Sequence, residues 1–215
     1  MEKKRTLTPQ KIVAQAMSLA DAEGIAALSM RRLATGLGVE AASLYNHFAG
    51  KEALLDRMVE AVVAEIAPAQ PGPARPDPDW RAALRAHFLA AEAALTRHPW
   101  ASALLISRPN MGPYMLARIE ALLATLTGAG FPLIAADHIW NMLDSLLHGH
   151  RMLAVQFPLK PQDYAEQAAA QAHLIPPDIF PNLRGLADLV AARQHDGLHP
   201  FAPALDQMLA GLNPP

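Results

Sequence analysis

Apolar residues recur along the first fifty positions at helical spacing, in steps of three and four rather than by alternation. Ile12, Ala16, Leu19 and Ala20 share one face, and Met30, Leu33, Ala34 and Leu37 share another. Each set is the signature of an amphipathic helix. Punctuation sets the ends. Thr8 followed by Pro9 reads as a cap and first turn, and Gly24 as a stop. Ser29 is placed to cap a second helix over 30–37, and Gly38 supplies a tight turn. A third helix is predicted over 40–48, where Leu44 and Phe48 continue the apolar face. A fourth begins near Lys51 and buries Leu54, Leu55, Met58, Val62 and Ile66.

Five prolines fall within residues 68–78, and such a stretch cannot stay helical. Beyond it the helical pattern returns. Residues 79–97 carry Leu84, Phe88, Ala91 and Leu95, and 99–106 make a short helix. Residues 114–127 carry Leu116, Ile119, Leu123 and Leu126, and 132–157 are the longest candidate. A short helix over 164–173 and two more over 183–193 and 201–212 complete the pattern. Strand signals are weak. The predicted fold is all-α: an N-terminal three-helix head with a helix-turn-helix at 1–57, and a larger helical body at 58–215. The apolar face of the last helix (Leu205, Met208, Leu209, Leu212) and that of 132–157 suit either an interface between subunits or the chain's own core, and periodicity does not choose between them.

Composition narrows the function classes. The 215 residues are 52% hydrophobic, enough for a sizeable core, and include no cysteine, which excludes disulfides and thiolate metal sites. No secretory leader or membrane span is expected, and a cytoplasmic location is the expectation. Net charge is −2 over the chain, but residues 1–57 carry eight Lys/Arg against six Asp/Glu. A modestly basic head on an acidic body is compatible with a DNA module joined to something else.

The second and third helices leave particular side chains outward. Arg31, near the start of the second, can offer a planar fork to a guanine edge. Ala41 and Ala42 are small enough to approach a groove wall, and Ser43, Tyr45, Asn46 and His47 carry hydrogen-bonding groups. Lys51 opens a helix, where free N–H groups already favour a phosphate. A short helix presenting such residues, braced by a helix before it, suits a DNA major groove. The same spacing also suits a plain helical hairpin with a polar surface.

The segments Ala26-Ala-Leu-Ser-Met-Arg-Arg-Leu-Ala, Leu37-Gly-Val, Ser43-Leu-Tyr-Asn-His-Phe and Lys51-Glu-Ala-Leu-Leu resemble the helix-turn-helix of the TetR family of bacterial transcription regulators. The resemblance implies a homodimer on a palindromic operator. It puts Met30 and Arg31 at the DNA, with Arg31 reading a base. Ala41, Ala42 and Ser43 would lie in the groove, and Tyr45, Asn46, His47 and Lys51 at or beside phosphates. Ala41 stands where some members place glutamine, so direct adenine reading is not expected there.

Past the prolines, Trp80, His98-Pro-Trp100, Arg108-Pro-Asn, Tyr114, Gly130-Phe-Pro-Leu and the segment 204–212 are similar to the regulatory domain of the tetracycline-repressor subclass. That implies a small-molecule effector bound within 80–157. The apolar candidates for its pocket are Leu84, Phe88, Leu104, Leu105, Met111, Leu116 and Trp140. The polar candidates are His87, Glu120, Asn141, Asp144 and His148. Asp144 and His148, four apart on one helix, also fit a plain ion pair. Members that bind magnesium–tetracycline carry a histidine just before the Arg-Pro segment. Here the sequence reads Leu104-Leu-Ile-Ser107, so neither metal nor cofactor is expected.

No phosphate-cradling glycine loop, nucleophile elbow or paired-histidine zinc motif is present, and no enzymatic activity is expected. The function predicted is a DNA-binding transcription regulator, a repressor released by a small molecule. The alternative is a small-molecule binding protein with a vestigial DNA-binding head.

Overall fold

A computed structural model describes residues 7–66, 79–156, 163–195 and 200–215. The basic arm before Leu7 and the proline-rich segment lie outside them. The described residues form eleven α-helices and no strand: α1 (Pro9–Glu23), α2 (Met30–Leu37), α3 (Ala41–Tyr45), α4 (Lys51–Ile66), α5 (Trp80–Arg97), α6 (Ala101–Ser107), α7 (Pro113–Gly128), α8 (Leu133–Gln156), α9 (Tyr164–Gln171), α10 (Pro181–Ala191) and α11 (Phe201–Gly211).

The local chemistry explains the ends. Thr8 Oγ1 accepts from the Lys11 N–H at 3.3 Å, and Ser29 Oγ from the Arg32 N–H at 3.2 Å, so each satisfies one of the orphan donors of a first turn. Gly38 adopts the left-handed conformation (φ 68°, ψ 32°). There its own N–H and that of Val39 close back on Thr35 and Ala34 carbonyls, ending α2 and starting the turn.

Leu33, Leu44, Phe48, Leu54 and Met58 are buried in one core that continues through Leu84, Phe88 and Leu95 to Leu143, Leu147 and Leu205. The head and body therefore share packed side chains, and α4 is their common wall, touching α1 on one side and α5, α6 and α7 on the other. In α5 the predicted stripe is the buried one. In α7 the buried face is Met115, Arg118, Leu122 and Leu126, one step round from the predicted stripe, and Leu116 is exposed.

The last helix resolves an open alternative. Phe201, Leu205 and Leu209 of α11 are buried within the chain, against α5 and α8. Arg81 ties α11 down by donating to the Leu209 carbonyl at 3.2 Å and to that of Leu212, and Arg85 pairs with Asp206 at 2.6 Å. The uncovered apolar surface lies elsewhere. Leu183, Leu186 and Leu189 of α10, and Leu153 and Val155 of α8, are exposed.

Candidate nucleic-acid interface and regulatory core

The head is assembled from the inside. Leu44 is fully buried and Phe48 nearly so. They fix the rotation of α3 about its axis, which leaves Ala42, Tyr45, Asn46 and His47 exposed and Ala41, Ser43 and Lys51 half-buried. The predicted third helix is shorter than expected. It ends at Tyr45, and the N–H groups of His47 and Phe48 both bond to the Leu44 carbonyl at 3.0 Å. His47 thus sits in the turn between α3 and α4, beside the start of α4 where Lys51 lies.

Arg31 and Arg32 differ in what holds them. Arg32 pairs with Glu23 and ties α2 to the end of α1. Arg31 is exposed and has no acidic partner among the described residues. Met30 requires a correction. It is a core residue, 8% exposed, so its side chain props α2 from beneath and is not available to DNA. The remaining candidates fall within two adjoining helices and the turn after them: Arg31 at the start of α2, Ala41 to Ser43 opening α3, and Tyr45, Asn46, His47 and Lys51 from the end of α3 to the start of α4.

In the body, three helices, α5, α7 and α8, meet around buried charge. Arg118 of α7 is 4% exposed. Its Nη2 donates to Asp144 Oδ1 of α8 at 2.6 Å, and its Nε donates to His87 Nε2 of α5 at 3.1 Å. His148 Nε2 lies 3.4 Å from the other Asp144 oxygen. Arg151, one turn on, reaches Glu92 of α5 at 3.2 Å. Burial pushes the Asp144 carboxyl up, but the His148 hydrogen bond and the Arg118 charge outweigh that and hold it below the usual range. For His87, burial and then the Arg118 charge both act against the imidazolium and push its pKa down to about 3. His87 is thus neutral, with its Nε2 lone pair turned to Arg118 and the proton on Nδ1. Leu105, Leu147 and Val63 line a gap of about 10 Å³ beside Arg118 and His148, no larger than a single water needs. Three buried polar atoms lack a partner among the described residues: Ser102 Oγ, His148 Nδ1 and Arg151 Nε.

The predicted pocket residues divide. His87, Asp144 and His148 join this cluster, and Leu84 and Phe88 are core beside it. Leu104 and Leu105 pack against Val59, Val63 and Met115, where α4, α6 and α7 meet. Trp140 is half-buried, its Nε1 donating to Asp137. Four candidates point elsewhere. Met111 is 72% exposed in the loop before α7, and Leu116 and Glu120 are exposed on the outer face of α7. Asn141 is exposed and bonded back to Asp137 in its own helix. Within one chain none of these four lines the interior.

Sequence reasoning missed Arg118, although its spacing from Met115 and Leu122 was a signal. It also missed two attachments of the α6–α7 loop to α4. Arg108 reaches Glu52 at 2.5 Å and Asp56 at 2.6 Å. The buried carboxylate of Glu60 accepts the Tyr114 N–H and so caps α7 from a neighbouring helix. A side chain at Gly112 would fall on that carboxylate.

Comparison with known proteins settles the family. Residues 12–58 match the model for bacterial regulatory proteins of the tetR family, and residues 72–214 match the tetracyclin repressor-like C-terminal domain. The chain belongs to the TetR family. An HTH-type transcriptional regulator of Saccharopolyspora erythraea is 42% identical over 129 residues, 60% of this chain and 52% of the relative. The chain spans about half the length of the curated relatives it first matches. Among solved structures, Streptomyces coelicolor ActR in complex with actinorhodin has a TM-score of 0.77 at 27% identity, with 96% of this chain and 95% of that chain covered. BioQ with its double-stranded DNA operator has a TM-score of 0.58 at 26% identity, over 68% of this chain and 86% of that one. Among the described residues, no helix of this TetR-family chain is long and apolar enough to cross a membrane.

Proposed function

We propose that this TetR-family chain is a homodimeric transcription repressor that binds a palindromic operator and is released by a small molecule. The observation that carries the reading is the α2–α3 head. Leu44 and Phe48 anchor it from inside, while Arg31, Tyr45, Asn46 and His47 stand exposed and Ser43 and Lys51 are half-buried. That is a base-reading and phosphate-holding set on a helix-turn-helix scaffold. BioQ, solved with its double-stranded DNA operator, is similar in structure to this chain and supports the reading.

Operator half-sites about 34–36 Å apart call for two heads on a two-fold axis. The exposed leucines of α10 with Leu153 and Val155 of α8 are the surface a second copy would cover. The boundary between head and body falls in α4, near residue 57. An effector site among α5, α6, α7 and α8, around Arg118, Asp144 and His148, is supported by the unpartnered buried atoms there and by the likeness to ActR, a protein solved with actinorhodin. Entry of a ligand requires that site to open, and opening strains the α6–α7 loop. Arg108 and Glu60 tie that loop to α4, so the strain reaches the helix that carries the heads. The ligand must bind the strained geometry more tightly than the DNA-competent one. The reading assigns no catalytic step, and it places the protein in the cytoplasm with its operator.

The test is a gel-shift titration on the DNA upstream of its own gene, repeated with a library of hydrophobic metabolites. Saturable, salt-sensitive binding that one class of compound reverses is the expected result. Indifference to every duplex would refute it.

A further inference from the structure

Away from both sites, one histidine joins the head to the body. His98 closes α5 and is 8% exposed. Its Nδ1 lies 2.8 Å from Asp21 Oδ1 of α1, and its Nε2 lies 3.2 Å from Glu65 Oε1 of α4. Each carboxylate has a second partner from the same corner. Trp100 Nε1 donates to Asp21 at 2.6 Å, and Arg97 Nη2 donates to Glu65 at 2.5 Å. Three elements thus meet on one imidazole: the last turn of the head's first helix, the end of the connecting helix, and the corner between α5 and α6.

The hydrogen-bond inventory of imidazole makes this junction sensitive to one proton. A neutral ring has a single N–H, so one of its nitrogens turns a lone pair toward a carboxylate. Only the imidazolium donates to Asp21 and Glu65 together. The groups facing the ring are two acids, from α1 and α4, and the cation Arg97 from its own helix. Burial pushes Glu65 up, but hydrogen bonds and charge from Arg97 and His98 outweigh it and hold the carboxyl below its usual range. An open groove lined by Met17, Ser18, Asp21 and Glu65 reaches the ring, so protons exchange without unfolding. Loss of the proton would not dismantle the corner, because Trp100 still holds Asp21 and Arg97 still holds Glu65.

We propose that His98 is a positioning residue for the DNA-binding head, a proton-dependent latch that fixes α1 against the body when the ring is charged and loosens it when the ring is neutral. This deepens the repressor reading and rests on it for its consequence at DNA. A pinned head is preorganised for two successive grooves, and a loosened one loses part of its affinity to the unproductive geometries it visits. One proton decides whether the ring serves both carboxylates or only one, so the latch would make operator affinity depend on pH through a residue remote from the DNA.

The experiment compares wild type with His98→Gln and with Asp21→Asn at pH 6 and pH 8 in constant salt, by two readouts. The first is operator affinity. Wild type and variants share every other titratable group, so any background pH dependence is common to them. Wild type is expected to weaken at least about fivefold more than either variant on going to pH 8. The second needs no DNA: hydrogen-exchange protection of residues 18–23, corrected for the chemical exchange rate at each pH. It should fall at least about fivefold in wild type at pH 8 and stay level in the variants. Parallel affinity profiles with unchanged protection would overturn the latch and leave the repressor reading intact. Absence of operator binding in all three proteins would refute the repressor reading, and the exchange data alone would then decide the latch. If His98→Gln fails to fold, Asp21→Asn carries the comparison.

Discussion

Arg118 and Asp144 form an ion pair of 2.6 Å in the interior of the body, on neighbouring helices, with Arg118 only 4% exposed. A buried pair of this kind adds little beyond an apolar pair of equal volume, but removing one partner strands the other. Asp144→Ala should therefore destabilise the fold by about 3–5 kcal/mol, and Arg118→Met combined with Asp144→Leu by much less than that. Urea unfolding of both variants measures the difference. Equal losses would mean that the pair is not enclosed as described.

The same cluster predicts an acid sensitivity. His87 has its pKa lowered to about 3, so the folded state refuses a proton that the unfolded chain accepts. Stability is complete above the unfolded value near pH 6.5 and declines as pH falls toward the folded one. Between pH 7 and 5 the loss from His87 alone is about 2 kcal/mol. Asp144, with its folded pKa depressed, adds nothing to that interval, because its contribution is lost only below the ordinary carboxylate range. His87→Gln keeps an acceptor for Arg118 and should flatten the decline between pH 7 and 5. A slope unchanged by that substitution would show that the imidazole is not held neutral.

At the DNA surface, Arg31 and Lys51 should fail differently. Arg31→Ala is expected to cost about 1–3 kcal/mol on the cognate operator and relax sequence choice, since a base contact is lost. Lys51→Ala should weaken cognate and random duplexes alike and reduce the salt slope by about one. Equal weakening on both duplexes by Arg31→Ala would remove its base-reading role.

The loop between α6 and α7 predicts variants defective in response. Gly112→Ala drives a methyl group onto the Glu60 carboxylate, which must swing aside and give up the Tyr114 N–H, a loss of about 1 kcal/mol that urea unfolding measures. Arg108→Ala frees the loop from Glu52 and Asp56 and should preserve operator binding while reducing effector-driven release at least about fivefold. Gel-shift titrations with and without effector separate the two quantities. Normal release from Arg108→Ala would exclude this loop as the route.

Much of the head was legible in the chain because its ends are punctuated by residues with one purpose each. Thr8, Pro9, Gly24, Ser29 and Gly38 set α1 and α2 to the residue. The length of α3 was not legible, because Asn46 and His47 carry helical periodicity into a turn whose bonds depend on Phe48 docking in the core. In α7 and α11 periodicity gave an apolar face but not its partner. The charged Arg118 turned inward because Asp144 and His87 from other helices receive it, and Leu205 and Leu209 found their cover on α5 and α8. Long-range pairing of this kind leaves little trace in local spacing. The same holds for Glu60 and Gly112, far apart in sequence and meeting only when α4 packs beside α7.

The most direct measurement of the central claim is a binding titration on two duplexes, one bearing both halves of the operator repeat and one with a half scrambled, followed across a range of salt. The account predicts two protomers per intact duplex, affinity about 10³-fold or more above random DNA, and a steep loss with salt. Equal affinity for the intact, half-scrambled and random duplexes would contradict it.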